Sequence, residues 1–228
     1  MAAEPGPAPE GILFDIDGTL ITTGGAGAVA WSRAVEELQG TPVDIPEVTE
    51  SGMTDPEVGR SALEHVLDRE PTQRELAQTM AKYLKHLPGA VEESDGYEVM
   101  PGVVALLKEL VDTGCLVGLT TGNVEAAAHI KLARASLNRF FSFGGYGSDS
   151  NDRIELTRRA LERARMVSGG SLDVSSCVGV GDTPRDVLAA HGAGISSLGV
   201  ATGNYSVEQL REAGADHVVS TLEDGLPR

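Results

Sequence analysis

Residues 11–20 read GILFDIDGTL. The apolar run Ile12-Leu13-Phe14 stops at two carboxylates, Asp15 and Asp17, and Gly18-Thr19 follow. Such a run fits a buried strand, and acids at its carboxyl end stand where open α/β sheets bind ligands. Residues two apart in extended backbone share a side, so Asp15 and Asp17 can converge. Gly18 lets the chain turn away. Two carboxylates held close resist double ionisation unless a cation intervenes. A lone D-x-D also describes an ordinary acidic turn. An EF-hand calcium loop is excluded, because that loop needs glycine at position six and glutamate at twelve. Here Gly18 falls at position four and Ala26 at twelve.

The carboxyl half alternates strands and helices. Pro101-Gly102 precede an amphipathic run with Val104, Leu107, Leu110 and Val111 on one face, stopped by Gly114. A strand is predicted over 116–121, ending in a Gly-Asn turn where Asn123 can cap the next helix. A short aromatic strand is expected over 140–143 and a helix over about 154–165. The stretch SSCVGVGDTPRD predicts a strand over 177–180, a glycine turn, then Thr183 as cap and Pro184 as first helical residue. That helix ends at Gly192 or Gly194. A strand near 197–201, a helix near 207–213 and a strand near 217–219 follow. Near-continuous apolar strands alternating with helices mean a parallel sheet covered on both faces. Residues 24–98 differ: three helical patterns run from GAVAWSRAVEEL through DPEVGRSALEHVLD to TQRELAQTMAKYLKHL, with no clear strand between them. Thr54-Asp55-Pro56-Glu57 fits a capping box or a proline-started helix.

The 228 residues, 41% hydrophobic and 23% charged, suit a soluble globular protein of one large domain or of a core with a small accessory domain. Thirty-four acids against 18 bases give a net charge of −16. That field repels phosphate backbones and anionic lipid, which argues against nucleic-acid and membrane partners. A small anionic ligand would need a local cation to approach. Cys115 and Cys177 form no disulfide framework, read as two buried structural thiols, and suggest a reducing, cytoplasmic setting. The opening MAAEPGPAPEG lacks the basic and apolar regions of a signal peptide and reads as a disordered tail. Nothing in the chain fixes an oligomeric state.

Three strand ends carry polar residues: Asp15 with Asp17, then Thr121-Gly122-Asn123, then Gly181-Asp182 with Asp186 one helical turn on. In a parallel sheet these ends share one edge. Each alone has a mundane reading as cap or turn, but together, with a helical insert between the first two, they read as a site. A metal-bound nucleophilic carboxylate beside a protonated acid would make a workable phosphoryl-transfer pair.

On these residues the chain resembles the haloacid dehalogenase superfamily, nearer its phosphoglycolate-phosphatase-like members with a helical cap. DIDGTL matches that family's first motif, LTTGN its second and GVGDTPRD its fourth, in order, and the resemblance covers nearly the whole length. It implies a Rossmann-like parallel-sheet α/β core over 11–23 and 99–228, an all-helical cap over 24–98 and a tail over 1–10. It further implies a phosphatase acting on a small phosphorylated metabolite, with Asp15 as nucleophile and Asp17 as proton donor and acceptor. Magnesium would lie on the Asp15 carboxylate, the Asp17 carbonyl and Asp182, with Asp186 behind them. Gly18, Thr121, Gly122 and Asn123 would bind phosphate. The family's third motif usually offers a lysine. SDSNDRIEL has none, and Arg153 takes that place. A dehalogenase needs no second aspartate, so Asp17 points to phosphate chemistry. A phosphomutase would use the same pair of acids, and a catalytically weak binding protein would keep the fold. ITTGGAG, residues 21–27, is expected to be the hinge of the cap. Ser51-Gly52-Met53-Thr54 and Arg60 are candidates for substrate choice, and His65, His86, His129, His191 and His217 are read as structural.

Overall fold

The computed structural model describes residues 9–226. The expected tail over 1–10 falls mostly outside the described residues. Its last member is already part of the fold, since Glu10 donates its amide to Ser176 and accepts from the Leu116 amide.

The first strand, β1 (Gly11–Phe14), is fully buried, as a continuous apolar run requires. It is followed by β2 (Ile21–Thr23), α1 (Ala26–Gln39), the short α2 (Ile45–Val48), α3 (Asp55–Leu67), α4 (Gln73–Glu93) and β3 (Tyr97–Val99). The chain then alternates through α5 (Val103–Asp112), β4 (Leu116–Thr121), α6 (Glu125–Ala133), β5 (Gly144–Tyr146), α7 (Arg153–Val167) and β6 (Cys177–Gly181). It ends in α8 (Pro184–Ala193), β7 (Ser196–Val200), α9 (Val207–Glu212) and β8 (His217–Val219). Six strands form one parallel sheet in the order β5-β4-β1-β6-β7-β8. Strand β1 sits between β4 and β6, with Phe14 level with Leu119 and Val180. The three polar strand ends therefore emerge side by side.

The insert packs α1 against α4 around Ala30, Trp31, Ala34, Tyr83 and Leu87, and this cluster continues onto Val124 and Ala127 of the core. Trp31 and Tyr83 stack with centroids 4.2 Å apart. Thr54 and Glu57 form the expected capping box, with Pro56 in the first turn of α3.

Several local expectations are corrected. Strands β2 and β3, absent from the sequence reading, pair antiparallel, Ile21 with Val99 and Thr23 with Tyr97. Three of the seven residues of the expected hinge are thus strand, and Gly24 (φ 58°) packs against Gly96, where a Cβ would come within 2.6 Å of its backbone. The aromatic stretch 140–143 is not a strand. A 3₁₀ turn (Asn138–Phe140) takes in its first residue, and the strand is Gly144–Tyr146 beyond it, whose glycines let α7 approach closely. Helix α4 runs through Pro88, beyond the expected end at Leu87, because Leu87, Ala90 and Val91 continue its buried face. In α5 the buried stripe is Val103, Leu106, Leu107 and Leu110, spaced i, i+3, i+4, i+7, and Val104 and Val111 face solvent. Cys177 is buried, but Cys115 only half so.

Candidate active site

Asp15, at the end of β1, Asp182, after β6, and Asp186, in the first turn of α8, bring one carboxylate oxygen each within 4.8 Å of one another. Local sequence explains the placement. Thr183 caps α8 and Pro184 starts it, so Asp186 falls three residues past the cap and accepts from the Thr183 amide and hydroxyl through Oδ2. Its Oδ1 accepts from Arg153, the first residue of α7. The same guanidinium lies 3.6 Å from Asp15 Oδ1. Asp182 accepts from the Thr19 hydroxyl at 3.1 Å. It fits between two glycines: a Cβ on Gly18 (φ 86°) or on Gly203 would strike its carboxylate. The Gly18 amide donates to the Ile21 carbonyl, so this glycine serves the site by making room for Asp182.

Burial drives the electrostatics. Desolvation, then the neighbouring Asp186 charge, pushes Asp15 up to about 7 despite Arg153. Desolvation, Asp186 and Asp15 push Asp182 up to about 8. Arg153 loses hydration too, but Asp186 and Asp15 outweigh that loss and hold it firmly charged. Its Nε is buried without a hydrogen-bond partner. An orphaned charge-bearing donor beside a carboxylate marks a place for an anion.

Asp17 stands apart from the acid trio. Its carboxylate accepts from Lys131 at 2.7 and 2.9 Å and from the Asn123 side-chain amide at 2.7 Å. Asn123 is therefore not the cap of α6. Val124 is the capping residue, and Asn123 ties Asp17 to the Thr121 hydroxyl, 2.8 Å away. Lys131 is a residue the sequence reading missed. It is buried on the face of α6 that also carries Ala127, Ala128 and Leu132. A lysine at i+4 on an apolar stripe was the available signal. Desolvation works against its charge, and Asp17 and Asp55 more than restore it.

The insert closes over this edge. A cavity of about 310 Å³ is bounded by Asp15, Asp17, Thr121, Gly122, Asn123, Lys131 and Arg153 below and by residues of the insert above. Of the loop expected to choose substrate, Ser51, Gly52 and Met53 line the cavity. Arg60 does not, and pairs with Glu70 at 3.1 Å. None of the five histidines lies in the wall. A second missed residue is Asp55. Its amide donates to the Gly122 carbonyl (2.8 Å), and its Oδ2 accepts from the Val124 amide (2.8 Å) at the N-terminus of α6. The insert is thereby clasped to the Gly122–Val124 turn. Burial raises the Asp55 carboxyl above its ordinary range, against Lys131 and the Val124 amide.

Comparison with known proteins gives consistent findings. The family model for haloacid dehalogenase-like hydrolases matches residues 9–194. A phosphoglycolate phosphatase of Pseudomonas fluorescens is 29% identical over 224 residues, covering 98% of this chain and 80% of that protein. One from Caulobacter vibrioides is 29% identical over 217 residues, covering 93% and 87%. A solved structure described as a predicted phosphoglycolate phosphatase from Haemophilus somnus superposes with a TM-score of 0.74 at 20% identity, covering 94% of this chain and 95% of that one. At that identity the likeness concerns the fold.

Proposed function

We infer that this chain, which belongs to the haloacid dehalogenase-like hydrolases, is a magnesium-dependent phosphatase that hydrolyses a small phosphate monoester through a phospho-aspartate at Asp15. The observation that carries the reading is the buried, unpartnered Arg153 Nε beside Asp15 at the edge where Thr121 and Gly122 also emerge.

Asp15 attacks phosphorus, and the bond to the leaving oxygen breaks. Arg153, the Thr121 hydroxyl and the amides of Gly122 and Asn123 hold the phosphoryl oxygens and stabilise their growing charge. Asp17 gives a proton to the departing alkoxide. It then takes one from the water that attacks the phospho-aspartate, releasing phosphate and regenerating Asp15. Lys131 and Asn123 fix the Asp17 carboxylate for both transfers. Asp186, with both oxygens engaged, positions Arg153. The clasped insert excludes bulk water.

The all-oxygen donor set and the glycine cradle around Asp182 fit a small hard cation. Asp15, the Asp17 carbonyl and Asp182 would hold it. Bound there, magnesium would neutralise the facing acids and polarise the phosphoryl oxygens.

The curated relatives carry the name phosphoglycolate phosphatase, so phosphoglycolate belongs in any substrate panel. With a net charge of −16, a small anion drawn in by local cations is a better partner than nucleic acid or a lipid surface. No helix among the described residues is long and apolar enough to cross a membrane, and two free thiols suit a reducing cytoplasm. The test is free-phosphate release from a panel of phosphorylated metabolites with magnesium. Isomerised ester without free phosphate would instead identify a phosphomutase, and no turnover of any ester would refute the enzyme reading.

A further inference from the structure

The cavity roof carries no positive charge. The insert contributes apolar side chains, Trp31, Ile45, Met53 and Val58, with the Thr49 and Ser51 hydroxyls, and the only charged residue it lends is an acid, Asp55. The cations in the wall, Lys131 and Arg153, both come from the core. Arg153 is shared between Asp186 and Asp15, and Lys131 holds both oxygens of Asp17. The transferring phosphate already needs Arg153. Nothing cationic remains for a second anionic group on the substrate, and burying a carboxylate without a partner is strongly unfavourable.

What the roof does offer suits a hydroxyl. Tyr83 lines the cavity and is fully buried, and its hydroxyl lies beside Asp55 yet completes no hydrogen bond. Asp55 accepts once on each oxygen, from Trp31 Nε1 at 3.4 Å and from the Val124 amide at 2.8 Å. An ionised carboxylate has roughly four acceptor sites, so acceptor capacity is left over. An alcohol group could donate to Asp55 and accept from Tyr83. A carboxylate could only accept, and Asp55 would repel it.

We propose that the leaving-group side of this cavity selects a small, uncharged, hydroxyl-bearing alcohol, so that the substrate is the monophosphate of a short polyol rather than of a hydroxy acid. The cavity's modest volume limits that alcohol to a few carbons. The inference rests on the phosphatase reading and adds the class of its substrate. It also separates this chain from the substrate in its relatives' names.

A matched trio of esters tests it with the full-length protein and magnesium: 2-hydroxyethyl phosphate, phosphoglycolate and ethyl phosphate, which differ only beyond the first carbon of the alcohol. The kcat/KM for 2-hydroxyethyl phosphate should exceed that for phosphoglycolate by about tenfold or more, the low end of what leaving a buried polar group unpaired costs. It should also exceed that for ethyl phosphate severalfold. Tyr83→Phe should remove most of the advantage over ethyl phosphate, and an undiminished advantage would overturn the role given to its hydroxyl. Asp55→Asn should narrow the gap to phosphoglycolate by removing the repulsion. If Asp55→Asn fails to fold, the wild-type trio and Tyr83→Phe still decide. Phosphoglycolate turned over as fast as, or faster than, 2-hydroxyethyl phosphate overturns the inference and leaves the phosphatase intact. Phosphate release from none of the three, nor from an activated aryl phosphate, overturns both.

Discussion

Removing Arg153 is the sharpest perturbation available at this site. The guanidinium lies 3.6 Å from Asp15 Oδ1 on a side chain only 10% exposed, with its other contact on Asp186. At that separation and an effective dielectric of about 20, one unit charge is worth roughly 4 to 5 kcal/mol. The same group faces the transferring phosphate, whose negative charge shifts as the bond to Asp15 forms. Relaxation and water filling the void recover part of the loss. One preorganised donor typically supplies about 3 to 4 kcal/mol in the transition state. Arg153→Ala should therefore lower kcat by about a hundredfold to a thousandfold. Arg153→Lys keeps the charge but cannot span Asp15 and Asp186 together, and should recover to within about tenfold of wild type. The assay is steady-state phosphate release from any accepted ester, with circular dichroism to establish that each variant is folded. If Arg153→Ala stays within about threefold of wild type, the guanidinium does not face the reacting phosphate and another cation supplies the charge.

Asp15→Asn should reduce turnover by at least about a hundredfold with the fold intact. More than a tenth of the wild-type rate in pure protein would rule out the covalent route. Magnesium binding should release protons, because Asp15 and Asp182 are pushed up to about 7 and 8 and must ionise to hold the ion. Calorimetry in two buffers of different protonation enthalpy measures this, and equal heats would refute it. The same shifts set a sign for stability. Between the ordinary aspartate value and about pH 8 the folded, metal-free protein binds more protons than the unfolded chain, so these two groups contribute less as pH rises. Asp182→Asn should gain in Tm over metal-free wild type from pH 5 to pH 8, and a constant difference would contradict that. Lys131→Met leaves Asp17 and Asp55 without their shared cation. With Asp17 part exposed, the loss should be about 2 kcal/mol, or a fall of roughly 4 to 8 °C in Tm by thermal scan, and an unchanged Tm would refute the pairing.

The residues that were legible in the sequence are those whose position follows from chain direction alone. Asp15, Thr121 and Asp182 end apolar strands, and parallel strands must deliver their ends to one edge. Thr183-Pro184 announces its own cap and carries Asp186 to its place. Arg153 was reached through the family resemblance, as the basic residue standing where the third motif usually offers a lysine, and it lies beside Asp15 and Asp186. What escaped depends on contacts between segments far apart in the chain. Lys131 was not singled out because its partner, Asp17, is 114 residues away. Asn123 has the right residue type for a cap, but the insert supplies Asp55 to do that work and frees Asn123 for Asp17. The pairing of β2 with β3 joins two three-residue strands, too short to show a period. The aromatic stretch at 140–143 has strand-like composition, yet it is the glycines after it, with no side chain to obstruct α7, that join the sheet.

The β2–β3 ribbon has an evolutionary consequence. The insert departs after β2 and returns at β3, where Ile21 and Val99 stand opposite each other across the ribbon. Everything between them is a detour whose start and finish coincide in space. The free-energy cost of closing a detour grows only slowly with its length, by about 0.6 kcal/mol for each doubling. A lineage can therefore lengthen, shorten or exchange the detour wholesale without shifting the register of β4, β1 and β6. The reacting groups sit on one side of that junction, and Tyr83 and Asp55 sit on the other. New substrates can be explored by rewriting the cassette while the chemistry beneath it is inherited unchanged.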